Sequence, residues 1–331
     1  MLEADREKKI VLSLVVPMHN EAGNITAFYS RAKKVIDGVG VSYELICVND
    51  GSTDDTLELL LALRKRDPNV KVISFARNFG KEAALTAGID FSSGACVIPI
   101  DADLQDPPET IPALIAKWRE GYDIVYATRR SREGESWFKR WTAHSFYRLA
   151  NRVTNIEIPK DTGDFRLISR PAVESLKRLQ ERNRFMKGLF QWVGYKQTAV
   201  FYHRESRNAG KTAWNYWKLW NFAIDGITSF SSVPLQFATY IGLFIALLAF
   251  MYAIFIIVDT LVRGNPVPGY PSLLSVVLFL GGVQLFTIGV LGEYIGRIYS
   301  EVKRRPIYIV REAVGFDGPL EQGTSPTVRD L

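Results

Sequence analysis

The hydrophobic positions in the first part of the chain fall into short apolar runs separated by amphipathic stretches. The runs are rich in β-branched residues and continuous rather than alternating, which is typical of parallel strands buried on both faces. They predict strands at Ile10–Pro17, Tyr43–Asn49, Val70–Phe75, Ala95–Ile100 and Asp123–Ala127. The intervening stretches predict helices near Ile25–Ile36 (ending at Gly38), Asp54–Arg66, Lys81–Ser92 and Glu109–Glu120. This alternation indicates an α/β fold with a mostly parallel sheet flanked by helices.

Long uncharged stretches replace the short runs in the last third of the chain. Gly226 to Val258 contains no charged residue, and Gly264 to Gly292 is again free of charge. Because a membrane-spanning helix needs about 20 mostly apolar residues, we predict two transmembrane helices, at about 233–258 and 272–292. The connector between them, Asp259–Pro271, is short, so the two helices form a hairpin with both ends on one side.

The distribution of basic residues predicts the orientation of this hairpin. The chain has 331 residues with 41 Lys and Arg against 35 Asp and Glu, a net charge of +6. That mild excess does not indicate nucleic-acid binding. The basic residues nearest the hairpin are Arg204, Arg207, Lys211 and Lys218 before it, Arg263 in the connector, and Arg297, Lys303, Arg304 and Arg305 after it. This bias predicts a multi-pass protein of the plasma (inner) membrane, with the N-terminal domain and both termini in the cytoplasm.

These patterns divide the chain into four parts: a domain at 1–210, a segment at 211–231, the hairpin at 232–296 and a tail at 297–331. The pattern of residues in segment 211–231 predicts an amphipathic helix that lies in the membrane interface, because Trp217 and Trp220 fall on its apolar side. The tail contains one strand-like piece, Pro306–Val310, and an end from Asp317 that we expect to be disordered. A lone strand must pair with an edge of its own sheet or of another subunit. The sequence therefore does not distinguish a monomer from a homo-oligomer.

A cluster of acids follows the fourth predicted strand, in Val97–Pro107, with the sequence VIPIDADLQDP. The cluster contains Asp101, Asp103 and Asp106, with Gln105 among them. Ligands of open α/β sheets bind in the crevice at the carboxyl ends of the strands. Two carboxylates one residue apart suit a hard divalent cation such as Mg²⁺ or Mn²⁺, and Gln105 offers a third oxygen. Such a cation could hold a diphosphate and take up the charge of a leaving phosphate; the alternative is a solvated turn.

Polar groups also follow the other strands of the predicted sheet, in Pro17–Glu21, Asn49–Asp54 and Arg77–Lys81. Because parallel strands end at one edge, these groups are expected to converge on one crevice. Asp50 could accept hydrogen bonds from a base or ribose, while Arg77 and Lys81 could meet phosphates. The pattern favours a nucleotide. The chain has neither a G-x-x-x-x-G-K-[ST] loop nor a G-x-G-x-x-G after a strand, so an ATPase loop and a dinucleotide fold are not indicated.

Four of these segments resemble family 2 glycosyltransferases, most closely those that use polyprenyl phosphates, such as dolichyl-phosphate mannose synthase and the bacterial lipid-linked glucosyl and aminoarabinose transferases. The resemblance covers about Leu14 to Phe230. It is carried by VVPMHNE at Val15–Glu21, VNDGSTD at Val48–Asp54, ARNFGKEAA at Ala76–Ala84 and DADLQDPPE at Asp101–Glu109.

This resemblance implies a GT-A fold and an inverting transfer of one sugar from a nucleotide-diphospho-sugar to a polyprenyl (undecaprenyl- or dolichyl-type) phosphate. We expect a UDP-linked hexose such as UDP-glucose as the donor. By resemblance, the donor site comprises Pro17, Glu21, Asp50, Arg77, Lys81 and Asp101, and the diphosphate–metal group comprises Asp101, Asp103 and Gln105. Asp103 and Asp164 are the expected catalytic residues.

Asp164 lies in the segment Asp161–Leu167, which matches the family segment that places an acid near the reacting centre. A phosphate monoester is largely a dianion near neutrality, because its second pKa is about 6, so the acceptor needs little deprotonation. Basic groups that position its phosphate should matter at least as much, and Arg129, Arg207 and Lys211 are the candidates. Whether Asp164 removes a proton, helps hold the metal or orients an arginine stays open at this point.

Phe222 interrupts the polar side of segment 211–231. We expect it to contact either the first isoprene of the acceptor or a neighbouring subunit.

Two other functions compete with this interpretation. A processive polysaccharide synthase would normally carry a Q-x-x-R-W segment and more spans than one hairpin, and this chain has no such segment. A non-catalytic nucleotide-sugar-binding subunit of a lipid-linked glycan assembly would not need the acidic turn together with Asp164. The size of the product distinguishes one sugar on a lipid from a polymer.

Overall fold

The computed structural model describes residues 10–129, 162–179, 181–182, 184, 186–203, 233–263 and 269–316. The strands in these ranges are β1 (Leu12–Met18), β2 (Tyr43–Asn49), β3 (Val70–Phe75), β4 (Cys96–Pro99), β5 (Ile124–Arg129), β6 (Thr162–Ser169), β7 (Gln197–Tyr202) and β8 (Val310–Val314). The helices are α1 (Ala22–Val39), α2 (Thr56–Arg66), α3 (Lys81–Asp90), α4 (Ile111–Arg119, preceded by a 3₁₀ turn at Pro108–Thr110), α5 (Arg170–Arg178), α6 (Met186–Trp192), α7 (Val233–Arg263) and α8 (Tyr270–Val302).

The described strands form one sheet in the order β7-β5-β6-β4-β1-β2-β3-β8. Strands β1 to β4 pair in parallel, and β7 pairs in parallel with β5. Strand β6 runs antiparallel to both β4 and β5, and β8 runs antiparallel to β3. The predicted mostly parallel sheet is therefore confirmed, with two strands reversed.

Both faces of the sheet are covered, as the continuous apolar runs predict. One apolar layer includes Phe28 of α1, Leu60 of α2 and Leu114 of α4. The layer on the opposite face includes Ala84 of α3 and Phe190 of α6, together with residues of α5. The domain is thus an α/β/α sandwich, and its predicted α/β class is confirmed.

The order of the strands reverses between β1 and β4. The chain adds β2 and β3 outward from β1, and α3 then crosses the other face so that β4 lies on the opposite side of β1. Ligands of open α/β sheets bind at such switch points, outside the carboxyl ends of the strands. Because β6 is reversed, its first residues lie at the edge where β4 and β5 end, and this places Asp164 beside the acidic turn.

Helix α1 ends later than the sequence pattern suggested. Gly40 has a φ of 69° and its N–H donates to the carbonyls of Ile36 and Asp37. Glycine adopts this left-handed conformation readily, so Gly40 and not Gly38 terminates the helix.

The tail strand is Val310–Val314, so its predicted position at Pro306–Val310 was wrong. Tyr308 instead packs into the sheet edge, where its ring stacks on Phe75 at 5.2 Å and its hydroxyl donates to Asp90 at 2.9 Å. Strand β8 pairs with β3 of the same chain. The unpaired strand therefore no longer argues for a homo-oligomer, and the end from residue 317 lies outside the described residues.

Helices α7 and α8 expose many large apolar side chains. Phe244, Phe250 and Phe255 of α7 and Leu285 and Phe286 of α8 are each more than half exposed. Within the described residues, one helical stretch is long and apolar enough to cross a membrane, Phe279–Val302, and Phe237–Tyr252 is a shorter apolar stretch. Helix α8 extends to Val302, ten residues beyond the predicted end of the second span.

Candidate active site

Asp50 joins the loops that follow β1, β2 and β3. Its buried carboxylate accepts the N–H of Phe79 at 2.6 Å and the N–H of Gly80 at 2.9 Å. Its own N–H donates to the carbonyl of Met18 at 2.8 Å. In this structure Asp50 therefore fixes the loop that leads to Lys81, and its predicted contact with the nucleotide stays a prediction.

Gly51 allows the β2–α2 and β3–α3 loops to approach each other. It has a φ of +59°, and an added Cβ would lie 2.3 Å from the carbonyl carbon of Arg77 and 2.4 Å from the nitrogen of Asn78. We expect Gly51→Ala to lower the free energy of unfolding by about 2–4 kcal/mol, because the two backbones must separate. Thermal denaturation measures this loss. Gly38→Ala is the matched control, because nothing lies within 4 Å of its added Cβ, and equal melting temperatures of both variants would contradict the packing argument.

Lys81 connects the acidic turn to β6. Its Nζ lies 2.7 Å from Asp101 Oδ1 and 2.8 Å from Asp164 Oδ2. Burial opposes the charge of Lys81, but the two carboxylates outweigh it and raise the Lys81 pKa well above its ordinary value. Burial also opposes the charge of Asp164, while the positive charges of Lys81, Lys187 and Arg166 hold the Asp164 pKa well below its ordinary value. Lys81 and Asp164 are therefore both ionised near neutral pH.

The acidic turn is held by its own side chains. Asp103 is buried, and its Oδ1 accepts the N–H of Gln105 at 3.1 Å. Leu104 between them has a φ of 60°, which a branched residue rarely adopts. Such strain costs about 1–3 kcal/mol and persists where the surroundings enforce it. The Asp103 contact is one such constraint, and the turn that follows Asp101 is thereby fixed.

Tyr202, the last residue of β7, links the acidic turn to Arg129. The Tyr202 hydroxyl donates to the carboxylate of Asp106, and Arg129 Nε donates to the hydroxyl oxygen at 3.4 Å. Burial and the Asp106 charge raise the Tyr202 pKa well above its ordinary value, so the phenol stays protonated. Arg129, a predicted acceptor residue, is therefore tied to the acidic turn. Tyr202 was not predicted, because only the pairing of β7 with β5 brings it opposite Arg129.

The sequence interpretation also missed Arg166 and Glu82. Arg166 is buried, its Nη2 donates to the carbonyl of Gly163 at 2.7 Å, and its guanidinium lies 4.1 Å from the centre of the Phe190 ring. Burial lowers the Arg166 pKa to about 10. Residues two apart on a strand share a face, so Asp164 could have pointed to Arg166. Glu82 directly follows Lys81 at the start of α3.

Glu82 should make stability depend on pH. Burial and then the charge of Asp164 raise the Glu82 pKa to about 7. Because the folded protein holds this proton more tightly than the unfolded chain, the contribution of Glu82 to stability is lost as pH rises from about 4.5 through 7. Glu82→Gln removes that loss. We expect its melting temperature to gain more over wild type at pH 8 than at pH 5, and an equal difference at both pH values would contradict the assignment.

The oxygens of the acidic turn and Asp164 suit Mg²⁺ or Mn²⁺. Asp164 Oδ1 is buried and has no hydrogen-bond partner among the described residues. In those same residues, no group of three or more His, Cys, Asp or Glu side chains is placed to hold a metal ion by itself. Mg²⁺ usually takes only one or two carboxylates from a protein and its other ligands from substrate phosphates and water. Asp101, Asp103 and Gln105 therefore fit a metal ion that a bound diphosphate would share, and Lys81 connects Asp164 to this group.

Two family profiles match the chain. The profile for Glycosyl transferase family 2 matches residues 13–177, and the profile for the GtrB C-terminal hairpin matches residues 233–298. The chain is also 56% identical over 314 residues to the uncharacterized glycosyltransferase sll0501 of Synechocystis sp. (strain ATCC 27184 / PCC 6803 / Kazusa), which covers 95% of this chain and 99% of that relative. The chain belongs to glycosyl transferase family 2.

Further relatives of this family 2 glycosyltransferase include the SfII prophage-derived bactoprenol glucosyl transferase of Shigella flexneri. It is 54% identical over 302 residues, which cover 91% of this chain and 98% of that relative. Among solved structures, glucosyl-3-phosphoglycerate synthase from Mycobacterium tuberculosis, in complex with Mn²⁺, uridine-diphosphate and phosphoglyceric acid, has a TM-score of 0.47 and 22% identity. The match covers 66% of this chain and 76% of that structure.

The two profiles locate the parts of the glycosyltransferase. The family 2 profile includes the acidic turn, Lys81 and Asp164. The hairpin profile coincides with most of α7 and α8, which agrees with the predicted hairpin and with membrane association. The family resemblance that the sequence motifs suggested is confirmed.

Pro17, Glu21 and Arg77, which were also predicted for the donor site, contact residues that neighbour them in the chain or in the sheet. Pro17 is the penultimate residue of β1 and pairs with Val48 of β2. Glu21 precedes α1, where its Oε2 accepts a hydrogen bond from the Asn24 amide at 2.6 Å. The guanidinium of Arg77 lies 4.1 Å from the centre of the Phe79 ring. The predicted sites that lie outside the described residues are Arg207, Lys211, the interfacial helix at 211–231 and Phe222.

Proposed function

We propose that this family 2 glycosyltransferase transfers one glucose residue from UDP-glucose to a polyprenyl phosphate at the cytoplasmic face of the membrane. The observation that carries the proposal is the cluster of Lys81, Asp101 and Asp164, which three separate elements bring together at the switch point of the sheet. The close relatives named bactoprenol glucosyl transferases support both the sugar and the lipid acceptor.

The acidic turn and the β3–α3 loop form the proposed donor side. Asp101, Asp103 and Gln105 would hold a divalent ion, Mg²⁺ or Mn²⁺, which when bound neutralises the diphosphate and stabilises it as a leaving group. Lys81 and Arg77 would contact the diphosphate as a point charge and a planar fork. Asp50 follows β2, Glu21 follows β1 and Pro17 lies near the end of β1, all at the same edge, where the nucleoside would lie.

Arg129 and Asp164 are the described residues on the proposed acceptor side. The acceptor phosphate is already largely a dianion, so one of its oxygens can attack the anomeric carbon directly. The bond between that carbon and the donor phosphate oxygen breaks, the nucleoside diphosphate leaves, and the anomeric configuration is inverted. Arg129 would orient the acceptor phosphate, together with Arg207 and Lys211. Asp164, charged and largely buried, would orient the cations around it, because a carboxylate with a pKa well below its ordinary value is too weak a base to take a proton from the acceptor phosphate.

Helices α7 and α8 would hold this site at the membrane surface. Their exposed phenylalanine and leucine side chains form apolar surfaces that are unusual in water. A polyprenyl phosphate keeps its chain in the bilayer and its phosphate at the surface, so a hairpin anchor keeps enzyme and acceptor together. We propose a multi-pass protein of the inner membrane with its catalytic domain in the cytoplasm, which agrees with the basic residues that flank the hairpin.

Tyr202→Phe tests the link between Arg129 and the acidic turn. Losing the hydroxyl should lower the free energy of unfolding by about 1–2 kcal/mol and raise the KM for polyprenyl phosphate more than the KM for the donor, because Arg129 loses its support. Initial rates at varied acceptor and donor measure both constants. Tyr195→Phe is the control, since that hydroxyl contacts Ser175 and the Pro171 carbonyl instead. An unchanged acceptor KM would show that Tyr202 has no role in placing Arg129.

A panel of nucleotide sugars tests the function itself. The purified full-length protein is incubated with each labelled sugar nucleotide and undecaprenyl phosphate, and the label in the organic phase is counted. We expect UDP-glucose to give an organic-soluble product with one sugar, and undecaprenol without phosphate to give none. A labelled polymer, or no lipid product with any donor, would refute the proposal.

A further inference from the structure

Lys81 occupies a carboxylate that the proposed metal ion would need, that of Asp101. Its Nζ lies within 2.8 Å of oxygens of both Asp101 and Asp164, although the two acids belong to different elements. The side chains of Lys81 and Asp101 are 44% and 37% exposed, so solvent reaches both, whereas Asp164 is only 14% exposed. The ammonium thus balances two acids that would otherwise repel each other.

The point from which Lys81 projects is firmly held. Lys81 is the first residue of α3 and follows Gly80, whose N–H donates to the buried Asp50. Phe79 is fixed in the same way. A lysine has a flexible four-carbon stem, so its ammonium can move while its backbone stays in place. Asp164 would keep positive neighbours after such a movement, because Lys187 and Arg166 also act on its charge.

We propose that Lys81 is an exchangeable internal counter-ion that couples metal binding to donor binding. Without donor, its ammonium holds Asp101 and Asp164 and competes with a divalent ion for the oxygens of Asp101. When the ion arrives with a nucleoside diphosphate, Lys81 moves from the acids to the phosphates. This role rests on the proposed function, and it makes donor and metal bind cooperatively, each strengthening the other by the same factor.

Lys81→Met removes the competing cation and keeps most of the side-chain length. In the full-length, metal-stripped protein without nucleotide, we expect Mn²⁺ to bind about fivefold more tightly than to wild type, because a half-exposed ion pair is worth up to about 1 kcal/mol. With UDP present, wild type should gain Mn²⁺ affinity strongly, and the variant should gain several-fold less. Electron paramagnetic resonance of free Mn²⁺ measures each dissociation constant.

Lys117→Met is the matched control for loss of one positive charge from an exposed ion pair. The Nζ of Lys117, on α4, lies 2.8 Å from Glu120 Oε2, and neither residue belongs to the proposed site. Its donor-free Mn²⁺ affinity should equal that of wild type. If Lys81→Met leaves donor-free Mn²⁺ affinity unchanged or weakens it, the counter-ion role is wrong. If wild type binds no Mn²⁺ with or without UDP, the proposed metal-dependent function fails instead.

A second measurement uses the wild-type protein and does not depend on the folding of a variant. An amine-reactive reagent labels lysines, and mass spectrometry of the peptide containing Lys81 gives its rate of labelling. We expect Mn²⁺ alone to raise this rate several-fold by displacing the ammonium, and UDP added with Mn²⁺ to lower it again. A rate that neither addition changes would overturn the exchange.

Discussion

Asp164→Asn is expected to lower the rate of sugar transfer about 10²- to 10³-fold, while the affinity for the nucleotide sugar stays within about twofold of wild type. The substitution keeps the shape of the side chain but removes its charge. Lys81 would then pair with Asp101 alone, and the positive charges of Arg166 and Lys187 would lose the acid they surround. The amount of labelled sugar that enters the organic phase measures transfer, and calorimetric titration with the nucleotide sugar measures donor affinity.

Asp123→Asn is the control for this substitution. Asp123 precedes β5 at the opposite edge of the sheet, where it accepts a hydrogen bond from Ser169 at 2.9 Å. It should transfer sugar at nearly the wild-type rate. Wild-type turnover by Asp164→Asn would remove Asp164 from the mechanism. A loss of donor affinity as large as the loss of rate would place Asp164 on the donor side.

Asp103→Asn should lower transfer about 10³-fold, because a metal ion contributes several kcal/mol to the stabilisation of a leaving diphosphate. The amide oxygen can still accept the Gln105 N–H, so the turn should keep its fold while losing one anionic ligand. We expect part of the activity to return at high Mn²⁺ concentration. Transfer rates over a Mn²⁺ titration give both the loss and its recovery.

Glu109→Gln is the matched control just beyond the turn. Glu109 is half exposed and pairs with Arg31 at 2.7 Å, and exposed ion pairs contribute little. Its metal requirement should equal that of wild type. If Asp103→Asn keeps the wild-type rate and the wild-type Mn²⁺ requirement, Asp103 is only a structural residue of the turn.

The sequence was sufficient for the strands that are buried on both faces. The bounds of β2 and β3 agree with prediction, because each is a mostly apolar segment, interrupted by Glu44 and Lys71, that polar loop residues follow. Strand β6 was recognised only as a motif, since Gly163, Asp164 and Arg166 give it no regular apolar pattern. It forms a strand through its pairing with β4 and β5. Local pattern cannot reveal a strand whose stability comes from distant partners.

The site also divides into residues that local sequence reveals and residues that only the folded chain brings together. The rule that ligands bind at the carboxyl ends of parallel strands was enough to select Asp101 and Lys81, and resemblance added Asp164. Tyr202 and Glu82 were missed because their relevance depends on neighbours that only the folded chain supplies. Asp50 shows the reverse case, since the structure reveals a role in fixing the β3–α3 loop that its motif did not suggest.

Chelation tests the central claim most directly, which is that a divalent ion held at Asp101 and Asp103 enables sugar transfer to a lipid phosphate. Labelled UDP-glucose and undecaprenyl phosphate are incubated with the full-length protein, with and without excess EDTA, and the organic phase is counted. We predict that EDTA abolishes the labelled lipid and that added Mn²⁺ or Mg²⁺ restores it. Undiminished transfer in EDTA would contradict the account.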